Sequence, residues 1–418
     1  MEIREWYTMK YNQDFNNIRL FNILGKANNS ILQLNLSPMK NNSLIKLSLI
    51  SFIAAMLISS ESLITSVKPT GETDPESGAE IFLIGEDERP ADNIYGEQPY
   101  SDASGRRVAV RYYSTENKPG GIGIVDLIDG SRYEVLKGDP PFPAFHAWGE
   151  YLFYNEKSDD KLILRRCNYL TLKVDDIAVL PQERGNYSYG TVSQDYRYYA
   201  VSVKSQKDLP SQVHLLDIKS GNWSVLLNKE GFHAKHEQFS RDGRNKVLIQ
   251  LNEIPDIKVV LLGEIDVKNG EKMFPADRPY TPRPTGHEAW VGNTGTIFYS
   301  TAVDKGTTGN IWTAKVGDSS SKKVYEGNLR FNHISVSKCG RYWIADTGEK
   351  GIPIYAGSFA TGKCKRIVFS NTEYDDKQWS HTHPYLTADN KWLIYASRRN
   401  GHPQVYGAKL KAGFLDEL

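Results

Sequence analysis

The segment Lys377-Gln378-Trp379-Ser380-His381-Thr382-His383-Pro384 concentrates three neutral metal-ligand types, Gln378, His381 and His383, within six residues. In an extended strand successive side chains alternate faces, so His381 and His383 are expected to point the same way. Two imidazoles on one face, with an amide oxygen just upstream, can grip a divalent cation from one side. A polar loop that happens to hold two histidines is the alternative. His-x-His by itself does not decide between them.

The elements around this segment repeat. Short apolar runs follow turns that recur along the chain: Ser101–Gly105, Gly149-Glu150, Ser193–Tyr196, Ser240–Gly243, Gly292–Gly295, Ser337–Gly340 and Thr387–Asn390. Their starts are separated by 48, 44, 47, 52, 45 and 50 residues. A second turn closes the next strand in several units, as in Asp126–Gly130, Asp217–Gly221, Asp266–Gly270 and Ala360–Gly362. A period of this length with several strands per unit predicts an all-β, seven-bladed β-propeller over residues 80–418. Each blade leaves a face uncovered, so neighbours must stack around an axis. The early strand Glu80–Ile84 is expected to join the sheet of the last repeat, closing the ring and removing two free edges. A two-domain β-sandwich would not predict such even spacing.

Equivalent positions in successive blades lie on a ring about the axis. His236, His333 and His383 each stand four residues before their inner turn, and Tyr189 occupies the same place before Ser193. His287 stands five before Gly292, and His146 lies just ahead of Gly149. Six of seven blades therefore carry His or Tyr where the chain approaches its innermost strand, at one mouth of the channel. His287 can approach His381 and His383 across that funnel. Three imidazoles with the Gln378 oxygen leave positions open on a six-coordinate ion. Nitrogen-rich, thiolate-free ligation suits Mn, Fe, Co, Ni or Zn and disfavours Ca. With no carboxylate ligand, such an ion would attract an anionic substrate. His333 and His146 are candidates for lining the pocket, or for hydrogen-bonded structural roles.

Composition narrows the partners. The 418 residues carry 51 basic and 50 acidic side chains, a net charge of +1, which argues against nucleic acid. The abundant aromatics (24 Tyr, 15 Phe, 8 Trp) suit sheet packing and carbohydrate stacking alike. Cys167, Cys339 and Cys364 are too few for a disulfide framework. Cys339 and Cys364 could pair, or all three could be free thiols.

At the N-terminus, Met39-Lys40-Asn41-Asn42-Ser43-Leu44-Ile45-Lys46 precedes an apolar run from Leu47 to Ser59. A basic start, a short apolar core and small polar residues describe a secretory signal peptide over 39–62, and the run is too short for a membrane span. Residues 1–38 then read as a mis-assigned or disordered extension, and 63–79 as a linker. The expected location is periplasmic or secreted, with no stable span in the mature protein.

Gln378-x-x-His381-x-His383-Pro384 resembles the metal-binding motif of the oligogalacturonate lyase family, whose members are seven-bladed propellers. Ser397-Arg398-Arg399-Asn400-Gly401-His402-Pro403-Gln404-Val405-Tyr406 is also similar, although TolB-like propellers share that motif. Thr285-Gly286-His287-Glu288-Ala289-Trp290 looks like the family's third metal-histidine segment, and His236 sits where the family carries its catalytic histidine. There are departures. The family's His-Glu-Gly-Pro stretch is replaced by Gln250-Leu251-Asn252-Glu253-Ile254-Pro255. The family's catalytic arginine finds no single counterpart among Arg184, Lys204, Lys235, Arg283 and Arg330.

The resemblance implies β-elimination across a uronic acid, with an acidic oligosaccharide as substrate and a 4,5-unsaturated sugar as product. It implies a divalent cation, Mn2+ ahead of Zn2+, Ni2+, Co2+ or Fe2+, held by His287, Gln378, His381 and His383. His236 would remove the C5 proton, while Tyr189 is a candidate for protonating the departing oxygen or binding substrate. Other uronate polymers, of glucuronate or ulvan type, remain open as substrates. A non-catalytic TolB-like binding propeller would need no metal, and a glycosidase would need paired carboxylates at the channel mouth.

Overall fold

The computed structural model describes residues 26–27, 30–31 and 67–418, apart from 87, 116–117, 139–142, 205–208, 258–259, 271, 274–283, 303–307, 316–317, 319 and 373–377. The chain divides into the units Met1–Ile64 and Thr65–Leu418. In the first, Lys26–Ala27 and Ser30–Ile31 pair as antiparallel strands. The expected signal segment, 39–62, lies outside the described residues. Among those described, no helix is long and apolar enough to cross a membrane.

The second unit is a seven-bladed β-propeller. Its strands form seven antiparallel sheets, one per expected repeat. Blade 1 spans Ala91–Lys137, blade 2 Pro143–Leu180, blade 3 Asn186–Asn228 and blade 4 Phe232–Met273. Blade 5 spans Pro284–Lys323 and blade 6 Phe331–Phe369. Blade 7 joins the C-terminal strands Tyr385–Leu386, Trp392–Ser397 and Gln404–Lys409 to Lys68–Thr73 and Glu80–Leu83 from the start of the unit. Glu80–Leu83 pairs with the last strand, Glu80 opposite Lys409, so the ring closes as the repeats required.

Of the expected linker, 63–79, the described residues 67–79 belong instead to blade 7. Lys68–Thr73 forms the outermost strand of blade 7, and the turn after it is held by the Asp74 carboxylate, which accepts from the Glu76 and Ser77 amides at 3.0 Å. Arg399 and Arg366 tie this segment to the C-terminal blades through Glu72 (2.8 Å) and Glu76 (2.9 Å). The Thr-, Gly- and Glu-rich composition of the segment suits an edge strand, whose outward face is polar.

The recurring turns have a common chemistry. In three inner turns, a hydroxyl donates to an aspartate two residues on: Ser193 to Asp195, Ser240 to Asp242 and Thr387 to Asp389, at 2.6–2.8 Å. The closing turns use Asp126, Asp217 and Asp266, each accepting from the amides two and three residues later. Between blades, seven apolar clusters cover the seven junctions, including Val108, Tyr112, Trp392 and Ile394 where blade 7 meets blade 1. Because each junction has its own core, the innermost strands are fixed from both sides, and side chains leaving them toward the axis are placed by packing. All three cysteines are free.

Candidate metal centre

The innermost strands break register where the histidines stand. The blade 4 pairing shifts between Lys235 and Gln238, around His236. In blade 5 it shifts between Pro284 and Glu288, around His287, and in blade 6 between Phe331 and Ile334, around His333. In blade 3, Tyr189 falls in the gap between two short inner strands. A bulge re-aims a side chain that a regular strand would hold against its sheet. His236 itself has φ of +55°, a conformation that costs a non-glycine residue and is held by the surrounding packing.

His381 and His383 reach the same place by another route. They are not on an extended strand, as alternation predicted. Gln378–Ser380 forms a 3-10 turn anchored by buried Trp379 against the edge of Tyr113, and the blade 7 strand starts only at Tyr385. His383 takes φ of +39°, and its carbonyl accepts from the Asn93 amide at 2.6 Å. Gly96 from blade 1 presses on the same carbonyl, where a Cβ would lie 2.5 Å from the carbonyl carbon.

One nitrogen from each of His333, His381 and His383 lies within 4.8 Å of the others. A cation with metal–nitrogen bonds of about 2.1 Å can be held across this span with small side-chain movement. His287 packs on His333 with ring centroids 4.7 Å apart, so the structure brings together four imidazoles from blades 5, 6 and 7. His333, expected only to line the pocket, is a central member. The side chain of Gln378 lies outside the described part of the structure.

Carboxylates stand behind these rings. Asp346 receives the His333 amide and Nδ1, both at 2.9 Å, and also the Thr382 hydroxyl, so one side chain couples blades 6 and 7. Glu97, from the blade 1 excursion between Asp92 and Ser101, meets His287 Nδ1 at 2.5 Å. A carboxylate acceptor keeps the hydrogen on Nδ1 and leaves Nε2 with its lone pair, the arrangement seen behind metal-binding histidines. Burial, reinforced by the neighbouring His333, His381 and His287, pushes His383 well below the usual histidine range and so keeps its ring neutral, the form that can donate to a cation. At His287 burial also works downward, but the Glu97 carboxylate, with Glu288 and Asp346 behind it, outweighs burial and the net shift is up. The donor set therefore fits a divalent transition metal.

His236 stands beside this cluster, linked to it by Tyr95. The Tyr95 ring packs on His383 (4.7 Å between centroids), and its hydroxyl is 3.2 Å from His236 Nε2. On the other side, Glu288 lies 3.3 Å from His236 Nδ1; it is wholly buried, while the His236 side chain keeps 25% of its surface open. Tyr189 is near Tyr95, with centroids 6.3 Å apart, and accepts from Arg111 at 2.8 Å. Arg111 is buried and doubly paired with Asp92. The sequence did not single out Arg111, Tyr95, Glu97 or Asp346, and it gave Glu288 no role beyond its place after His287.

His146 is not brought to the cluster. Its Nδ1 bonds the Val192 carbonyl at 3.1 Å, and its ring packs among Phe153 and Tyr196. Burial pushes its pKa down to about 4. Arg184, one of the candidate cations, instead lies 3.1 Å from His214 and over Trp223.

The fold has known relatives. The chain superposes on an oligogalacturonate lyase in complex with manganese with a TM-score of 0.67 and 16% identity, covering 84% of this chain and 98% of that one. An oligogalacturonate lyase from Vibrio parahaemolyticus gives the same TM-score and coverage at 14% identity. In sequence, 220 residues are 23% identical to an oligogalacturonate lyase of Dickeya dadantii, and 61 residues are 38% identical to an oligogalacturonide lyase of Pectobacterium atrosepticum. These matches span 54% and 16% of the two curated proteins. No protein-family model matches the chain.

Proposed function

We propose that this propeller, which resembles the oligogalacturonate lyases, is a metal-dependent lyase that cleaves uronate-containing oligosaccharides by β-elimination, with oligogalacturonate-like chains as substrate. The observation that carries the reading is the convergence of His333, His381 and His383 beside a histidine, His236, that is backed by a buried carboxylate. The relatives' names supply the substrate class.

The C5 proton of a uronate is weakly acidic because its removal puts further negative charge beside the C6 carboxylate. A divalent cation, Mn2+ first among the candidates, held by His333, His381 and His383 with His287 and Gln378 as further donors, would supply Lewis-acid stabilisation of that charge. His236 takes the C5 proton at Nε2. Glu288 beside Nδ1 orients the ring and stabilises the imidazolium that forms, as a buried acceptor does for a general base. Arg111, neutralised by Asp92, holds the Tyr189 hydroxyl, and the Tyr189 ring lies 6.3 Å from that of Tyr95. The signal-like segment 39–62 supports a periplasmic or secreted location for this activity.

The test is to incubate the protein with Mn2+ and a panel of galacturonate, glucuronate and ulvan-type oligomers, following ultraviolet absorbance of the 4,5-unsaturated product. Metal-dependent absorbance with galacturonate oligomers supports the proposal. A protein that binds the cation and yields no unsaturated product from any uronate overturns it.

A further inference from the structure

We infer that Tyr95 is the general acid of this site, protonating the departing O4 oxygen, and that His236 and Tyr95 act as a proton-transfer pair. The inference rests on the lyase reading above and assigns a step that the histidine cluster leaves open. Elimination needs two proton movements, one away from C5 and one onto O4. A single base accounts only for the first.

Three observations favour Tyr95 over the other phenol at the pocket, Tyr189. The Tyr95 hydroxyl lies 3.2 Å from His236 Nε2, the atom that receives the C5 proton. Its ring packs on both His236 (5.3 Å) and His383 (4.7 Å), so it stands between the base and the imidazole cluster. The Tyr189 hydroxyl instead accepts from Arg111, which is locked by Asp92. Tyr95 is also placed deliberately. The excursion that carries it is pinned on one side by Asn93 to the His383 carbonyl, and on the other by Glu97 to His287.

His236 Nε2 takes the proton from C5 reversibly, and the C5–H electron pair is held as an enolate on the C6 carboxylate; that pair then forms the C4=C5 double bond as the C4–O4 bond breaks. Tyr95 gives its phenolic proton to O4, leaving a phenolate. The imidazolium then returns its proton to that phenolate across the existing 3.2 Å contact. No further reactant is needed, and the enzyme ends as it began. Glu288, buried behind the ring 3.3 Å from Nδ1, is a positioning residue whose charge favours the imidazolium that forms.

The experiment compares wild type, Tyr95→Phe and His236→Ala, loaded with Mn2+, on an oligogalacturonate in D2O. It follows unsaturated product by absorbance and deuterium at C5 by NMR. Tyr95→Phe should lose roughly 100-fold in kcat with KM little changed, keep its bound metal, and still wash deuterium into C5 of unreacted substrate. His236→Ala should lose both product and exchange. Turnover in Tyr95→Phe close to wild type would overturn the assignment, as would loss of exchange together with product while metal and thermal stability are retained. A wild type that gives neither product nor exchange would instead defeat the lyase reading itself.

Discussion

His333 and His146 stand at nearly the same place before the inner turns of blades 6 and 2, both are buried, and they do different work. His333 lies in a register break, with Asp346 on its Nδ1 and three other imidazoles around it. His146 follows the one-residue bridge from Phe145 to Thr191, bonds a backbone carbonyl, and faces aromatic rings. The repeat places a histidine near the axis in both blades. What separates them is a bulge that turns the ring toward the channel and a carboxylate that sets its tautomer.

The strongest way to break this comparison is to exchange the outcomes of two substitutions. His236→Ala should lower the rate of unsaturated product formation by roughly 10²–10⁴-fold while bound metal stays at the wild-type level. His146→Phe should leave both at wild type. Equal losses in the two variants would erase the distinction drawn between the regions.

A second expectation concerns acid. The folded pKa of His146 is depressed to about 4, below its ordinary value of 6.5, so the unfolded chain takes up the proton first as pH falls. Its contribution to stability is complete above pH 6.5 and is lost progressively toward pH 4, amounting to about 3 kcal/mol. Denaturant titrations at pH 7 and pH 4.5 should show this slope, and His146→Phe should flatten it. An unchanged slope in the variant would mean that other groups govern the acid response.

Asp346 sharpens the comparison from the other side. Asp346→Asn should weaken cation binding by roughly 10–100-fold, read by calorimetry, whereas Tyr196→Phe beside His146 should not change it. The smallest effect is expected at Glu97. In metal-free protein, an NMR titration should place His287 above the usual histidine pKa in wild type and lower in Glu97→Gln, because burial is then opposed only by Glu288 and Asp346. A pKa that does not move would remove Glu97 from the set of supporting carboxylates.

Much of this was legible in the repeats. The turn spacing predicted seven blades and a strand donated to the last one, expected over Glu80–Ile84 and found over Glu80–Leu83. Two things escaped for physical reasons. Bulges and positive φ depend on what packs behind the strand, so the pairing of His381 with His383 was expected from alternation and is achieved by a 3-10 turn and an αL residue. The supporting carboxylates also fall outside the repeat register. Asp346 ends a run that reads as a buried apolar strand, and Tyr95 and Glu97 lie on a blade 1 excursion with no histidine to mark it. Glu288 was visible beside His287, but only the bulge shows that it faces His236.

The most direct test of the central claim is the number of divalent cations bound per chain, measured by equilibrium dialysis against Mn2+ for wild type and His383→Ala. The account predicts one tightly held ion in wild type and loss of that binding in the variant, with the fold retained by circular dichroism. No bound ion in wild type, or the same affinity in both proteins, would contradict it.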